Sequence, residues 1–191
     1  MRIFQGILLV ALLTISTSAS TRVLTAEFEV NAPIEKVWSA WTTPEGVKTF
    51  FAPDCNIEPR VGGAYEILFH VNAKPGERGA EGTRILDMEP TRRFVFTWNE
   101  PPSIPEIHDQ QTIVALDFYQ VNASRTRVRF TQMGWGEGVS WDKAYDYFDR
   151  AWNEVVLTRF RYAMEVGPID WKNQPKLQPV AESLKKDLVQ R

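Results

Sequence analysis

What most constrains this chain is one amphipathic helical pattern placed after a long run of strand patterns. Across 141–166, Trp141, Tyr145, Phe148, Trp152, Val155, Val156 and Ala163 fall in one stripe at about 100° per residue. Asp142, Lys143, Asp146, Arg150 and Glu154 lie opposite, and Gly167-Pro168 ends the pattern. From residue 56 to 133 the apolar residues instead recur every second position. A half-apolar antiparallel sheet must cover one face, and the terminal helix is the only element long enough to do so. The sequence therefore predicts an α+β domain in which a sheet of about six to seven antiparallel strands curls around the C-terminal helix.

The strands are read from alternation and its interruptions. Leu24, Ala26, Phe28 and Val30 share one face of a first strand, stopped by Asn31-Ala32-Pro33. Two short helices follow. Ile34, Val37, Trp38 and Trp41 are spaced for the first, and Thr43-Pro44-Glu45 opens a second that runs to about Phe50, with Thr43 as N-cap. After a short strand at 56–60, Gly62-Gly63 is expected to supply the positive φ angles of a hairpin turn. Tyr65, Ile67, Phe69 and Val71 alternate next, with Glu66 and His70 on the opposite, solvent face. Further strands are expected at 81–89 and around Phe94, Phe96 and Trp98. A proline-rich loop covers 100–109, and a final hairpin pairs 112–121 with 126–133. Arg84 and Asp117 are candidates for a cross-strand pair. Gly134-Trp135-Gly136-Glu137-Gly138 reads as a flexible hinge before the helix.

The ends are different in kind. Arg2, the apolar run Ile7–Leu13 and the small residues 16–20 make a signal-peptide pattern, with cleavage expected near Ala19 or Ser20. The run is too short to span a bilayer comfortably, which takes about 20 residues. The organisation expected is a leader at 1–20, a domain at 21–166 and a tail at 167–191. This implies a secreted or periplasmic protein with no stable membrane insertion once the leader is removed.

Chemistry is sparse. Net charge is −2, which argues against nucleic acid as a partner. The one cysteine, Cys55, has no disulfide partner and reads as a small packing residue. No metal-ligand spacing, phosphate loop or Ser-His-Asp order occurs, so neither a metal nor a cofactor is expected and no catalytic residue is assigned. Phe, Trp and Tyr make up 12 % of the chain, more ring surface than core volume alone requires.

The order of elements and its motifs resemble the START/Bet v 1-like helix-grip (SRPBCC) superfamily, in the branch related to the activator of Hsp90 ATPase (AHSA1-like). The matching residues are Val30 to Trp38, Trp41 to Glu45, Phe51-Ala52-Pro53, Arg60 to Gly63, Gly82 to Pro90 and Arg93 to Trp98. They continue through Thr126-Arg127-Val128, Met133-Gly134-Trp135 and Trp152, so the resemblance covers about 22–166. Two positions depart from it: Phe50 stands where Trp is usual, and Arg159 where the last helix usually has Leu.

The resemblance implies a cavity between sheet and helix that takes a small hydrophobic or amphipathic molecule. Trp38, Tyr65, Phe69, Phe96, Trp98, Phe118, Phe130, Tyr145, Phe148 and Trp152 are candidates to line it. Arg159, at the centre of the apolar stripe, is a candidate to meet an acidic ligand group at the mouth, or else to snorkel or pair with a carboxylate. Two other activities follow from the same resemblance: a cavity enzyme of the cyclase, hydratase or hydrolase kind, and a protein-interaction or co-chaperone module. Export weighs against the last.

Overall fold

A computed structural model describes residues 22–177. The leader expected at 1–20 lies outside the described residues, as does the tail beyond 177. The chain runs β1 (Leu24–Val30), α1 (Ile34–Thr42), α2 (Pro44–Val47), β2 (Asp54–Ile57), β3 (Tyr65–Leu68) and β4 (Gly79–Ala80). It continues with β5 (Ile85–Glu89), β6 (Arg93–Asn99), β7 (Gln111–Asn122) and β8 (Arg125–Met133). An unbroken helix then spans 139–165, as α3 (Val139–Arg150), a π-helical segment (Ala151–Val156) and α4 (Leu157–Glu165).

All strand pairings are antiparallel. One sheet has the order β1-β8-β7-β6-β5 and a second the order β2-β3-β4. An isolated bridge between Ala64 and Arg84 joins them, reinforced by Tyr65 N donating to Thr83 O and Ile85 N to Gly63 O. This is the curved antiparallel sheet closed on a long C-terminal helix that the sequence predicts. The strand expected at 81–89 starts only at Ile85, because Gly82 turns the chain with φ 76° between β4 and β5. The two glycines before β3 also divide their roles. Gly62 takes the positive φ of 78°, while Gly63 does not. Gly63 instead lets the backbone approach so closely that a Cβ would overlap Glu58 O.

Local chemistry places the short helices. The Thr43 side chain accepts from Gly46 N at 3.1 Å and Pro44 sits in the first turn. The helix is shorter than expected, ending at Val47, and a following turn carries Phe50 and Phe51 into the core. On the outer face of β1 and β8, Arg129 reaches Glu27 at 3.1 Å and Arg125 reaches Glu29 at 3.4 Å. Asp117 pairs with Arg93, its direct cross-strand neighbour, at 2.7 Å. Arg84 donates instead to Gly62 O, so the expected Arg84–Asp117 pair does not form.

Most of the rings pack into one core. Trp41, fully buried, has Phe50, Phe51 and Phe160 around it at centroid distances of 4.8, 5.6 and 5.2 Å. Trp135 anchors the loop before the helix to this core, while Gly134, Glu137 and Gly138 stay exposed. Trp135 is buried and donates to Gln132 O, and at Gly136 a Cβ would overlap the Trp141 indole.

Candidate functional site

A cavity of about 280 Å³ lies where the β3–β4 edge and the end of β6 face the π-helical segment. Phe69, Trp98, Phe148, Ala151, Trp152 and Val155 give it apolar walls. The buried members, Trp98, Phe148 and Trp152, form its interior. Exposed His70, Glu77, Pro102 and Tyr147 mark its mouth. Of the residues singled out from sequence, Phe69, Trp98, Phe148, Trp152 and Arg159 meet here.

The other six lie elsewhere. Trp38 packs edge-on against Phe94 and Phe118. Tyr65 contacts Phe94 and Phe96 and donates its hydroxyl to Trp41 O at 2.8 Å. Phe130 lies behind Trp152 at 4.6 Å. Tyr145 packs on Trp135 and donates to Val23 O.

A fully buried polar chain fixes the Trp152 wall. Trp152 Nε1 donates to Gln132 Oε1 at 2.8 Å, and Gln132 Nε2 donates to Thr112 Oγ1 at 2.8 Å. Thr112 in turn donates to Trp98 O at 3.2 Å. Glu81 organises the loop at the rim, accepting from Gly76 N at 2.7 Å, Arg78 N at 2.9 Å and the Arg78 guanidinium. Burial raises its carboxyl, but these donors outweigh it and hold the group below the usual carboxylate range.

The residue that the sequence reading passed over is Glu100. It follows β6 directly, ahead of Pro101-Pro102, and only 1 % of it is exposed. It lines the cavity, and neither carboxyl oxygen has a hydrogen-bond partner. Burial pushes its pKa up to about 7, with the nearby Thr112 hydroxyl pulling the other way. The signal available in sequence was an acid immediately after an alternating apolar strand and immediately before two prolines. Such an acid continues the period-two face of Phe94, Phe96 and Trp98, which turns inward.

His108 lies beside it. His108 Nδ1 meets Glu100 O at 2.9 Å. A carbonyl only accepts, so Nδ1 carries the hydrogen, and neutral His108 keeps Nε2 as an acceptor. His108 lines the cavity as well. The loop 100–109 thus delivers two of the cavity's polar groups, and His70 on the opposite rim supplies a third.

Arg159 is half-buried on the helix side of the cavity. Its guanidinium donates to Gln174 Oε1 at 2.6 Å and lies over the Trp171 ring at 5.3 Å. Burial lowers its pKa. Among the described residues no carboxylate pairs with it. The tail segment that meets it is anchored by Ile169 N donating to Thr49 O at 2.8 Å and Trp171 Nε1 donating to Lys48 O at 2.7 Å. Cys55 lies apart from the cavity, and burial pushes its thiol up to about 11, which leaves it a poor nucleophile.

Among the described residues, no cluster of three or more His, Cys, Asp or Glu is placed to hold a metal ion. No helix among them is long and apolar enough to cross a membrane.

A curved antiparallel sheet gripping one long helix, with a cavity between them, defines a helix-grip protein. The chain belongs to the family described as "Activator of Hsp90 ATPase homolog 1-like protein", which matches residues 31–165. Among solved structures, it is similar to protein MLL2253 from Mesorhizobium loti, with 22 % identity and a TM-score of 0.54 over 69 % of this chain and 88 % of that one. It is also similar to Aha1 from Colwellia psychrerythraea, solved as a dimer in solution, with 22 % identity and a TM-score of 0.55 over 77 % of this chain and 98 % of that one. CalU16 from Micromonospora echinospora shows 19 % identity and a TM-score of 0.55 over 78 % of this chain and 77 % of that one. No curated protein matches the chain.

Proposed function

We propose that this protein is an exported carrier or receptor for one small amphipathic molecule, held between the sheet and the C-terminal helix. The observation that carries this reading is the cavity itself: about 280 Å³ of space, ring-walled, in a domain whose other rings pack together closely. Apolar walls with a few converging polar groups are the usual make-up of a ligand site. The leader pattern at 1–20 supports export, and purified mature protein beginning near residue 20 is the expected product.

The test is competition of an apolar fluorescent probe, read alongside native mass spectrometry of the purified protein. Saturable binding at one site per chain is expected. Val155→Trp places an indole in the cavity from an exposed helix position and is expected to abolish binding while leaving the circular dichroism unchanged. Binding that survives this substitution refutes the assignment of the site.

One specific observation favours turnover as a second reading. Glu100, with a pKa near 7, and His108, with a fixed tautomer, bring two proton-transfer groups to one cavity. Loss of turnover of a bound substrate in both Glu100→Gln and His108→Gln, with binding retained, is the expected result for that reading.

A further inference from the structure

We infer that the cavity selects an amphipathic carboxylate, with the Arg159 guanidinium as its counter-ion on the helix side and the aromatic walls around its apolar body. This rests on the ligand-binding reading above and names the chemistry of the occupant.

A guanidinium drawn partly out of water is costly unless an anion meets it. Arg159 has three ways to meet that cost: to reach out into solvent, to pair with a carboxylate of this chain, or to pair with a bound molecule. It does not reach out into solvent. It stays half-buried beside the cavity, held by Gln174 Oε1 at 2.6 Å and by the Trp171 ring at 5.3 Å. Nor does a carboxylate meet it among the described residues. Glu165, on the same helix, pairs with Arg161 instead, at 3.4 Å. Burial moves the Arg159 pKa downward, and no carboxylate pulls it back. The third way is the one left.

The contacts that Arg159 does make leave most of its donors unused. A guanidinium carries five N–H donors, and the neutral Gln174 amide oxygen takes one of them, at Nη2. Among the described residues, the side-chain nitrogen and oxygen atoms sealed from water without a partner are Trp41 Nε1 and the two Glu100 carboxyl oxygens. The Nε and Nη1 of Arg159 are not among them, so they stay open to an incoming group. Gln174 and Trp171 hold the guanidinium in place beforehand, which lowers the ordering cost of binding. Its planar fork matches a carboxylate through two parallel hydrogen bonds.

The rest of the lining agrees. Phe69, Phe148, Trp152 and Val155 offer apolar surface to a hydrocarbon or aryl body. Glu77 stands at the exposed mouth, and the Glu100 oxygens are closed off, so neither takes the place of the missing anion. The other titratable groups bordering the space are His70, His108 and Tyr147, none of which is anionic at neutral pH.

The test compares three matched probes by calorimetry on the intact protein at pH 7: 4-phenylbutanoate, 4-phenylbutanol and 4-phenylbutylamine. The carboxylate is expected to bind ~10- to 100-fold more tightly than the alcohol, the range for a hydrogen bond to a charged group. That preference should vanish in Arg159→Gln, and Arg159→Lys, which keeps the charge without the fork, should retain part of it. Equal affinity for the three probes, or a preference for the amine, overturns the carboxylate assignment and leaves the cavity reading standing. A carboxylate preference that persists undiminished in Arg159→Gln overturns it too, since the histidines would then be the source. Failure of all three probes to bind overturns both readings.

Discussion

The unpartnered Glu100 carboxyl should make the protein's stability fall with rising pH, in a way that one substitution removes. Its pKa is raised from an ordinary 4.5 to about 7 in the folded state. The folded state therefore holds the proton more tightly than the unfolded chain does. Below about pH 4.5 the group is neutral in both states and costs no charge burial. Between about 4.5 and 7 the unfolded chain ionises first, and each pH unit removes about 1.4 kcal/mol of stability. Above about 7 both states are ionised and the loss levels off at about 3 kcal/mol, from 1.36 kcal/mol per pKa unit. Since only 1 % of Glu100 is exposed, solvent screening leaves most of that figure intact.

Glu100→Gln keeps the shape and discards the ionisation. Urea unfolding from pH 4.5 to 8.5 should give nearly equal stabilities for the two proteins at the acid end. At pH 8 the variant should be more stable by about 3 kcal/mol, equivalent to roughly 6–12 °C in melting temperature for a domain of this size. His70 and His108 are common to both proteins, so the difference between the two curves isolates Glu100. Parallel curves across the range would refute the reasoning, since they would mean that the carboxyl is not desolvated in the fold.

Gln132→Leu should orphan the buried Trp152 indole N–H and lower stability by about 1–3 kcal/mol, measured by denaturant unfolding, with a shifted tryptophan emission. Gly136→Ala should cost about 1–3 kcal/mol because its Cβ meets the Trp141 ring, and an unchanged melting temperature would show that the loop yields freely. Trp171→Ala removes both the surface under Arg159 and the donor to Lys48 O. Limited trypsin proteolysis followed by mass spectrometry should then find faster cleavage after Lys172 than in the unsubstituted protein, and equal rates would show that Trp171 does not anchor the segment.

Period-two alternation made the sheet legible, because side chains on a pleated strand must take opposite faces. β1 illustrates this, with Leu24, Ala26, Phe28 and Val30 buried and the residues between them exposed. The candidate site was legible only in part. Trp98, Phe148 and Trp152 are rings on elements whose apolar faces can be assigned, and they reach the cavity. Trp38, Phe96 and Phe118 sit on equally apolar faces but pack on other rings away from the cavity, Phe96 on Tyr65 and Phe118 on Trp38. Glu100 and His108 lie in the proline-rich loop, and His70, expected on the solvent face of a strand, falls past the end of β3. His108 reaches Glu100 within that loop, whereas His70 comes to the same cavity from a separate element.

Arg159 shows the remaining limit most directly. On an ideal α-helix it lies seven residues past Trp152, almost in line with it, while Phe160 lies about 80° away. That geometry would drive a guanidinium into the core. The helix avoids this with the π-helical segment Ala151–Val156, whose wider i→i+5 turn advances the chain by less than 100° per residue. The Thr158 hydroxyl supports the wide turn by donating to Asn153 O, five residues back, at 3.0 Å. Every later side chain consequently slips backward in phase. Phe160 rotates into the place beneath Trp41 and Phe50, and Arg159 rotates aside to Gln174 and Trp171. The same widened turn carries Ala151, Trp152, Val155 and Val156 along the cavity wall. One local departure from α geometry thus settles two conflicts at once: it removes a charge from the core, and it widens the helix where the cavity opens.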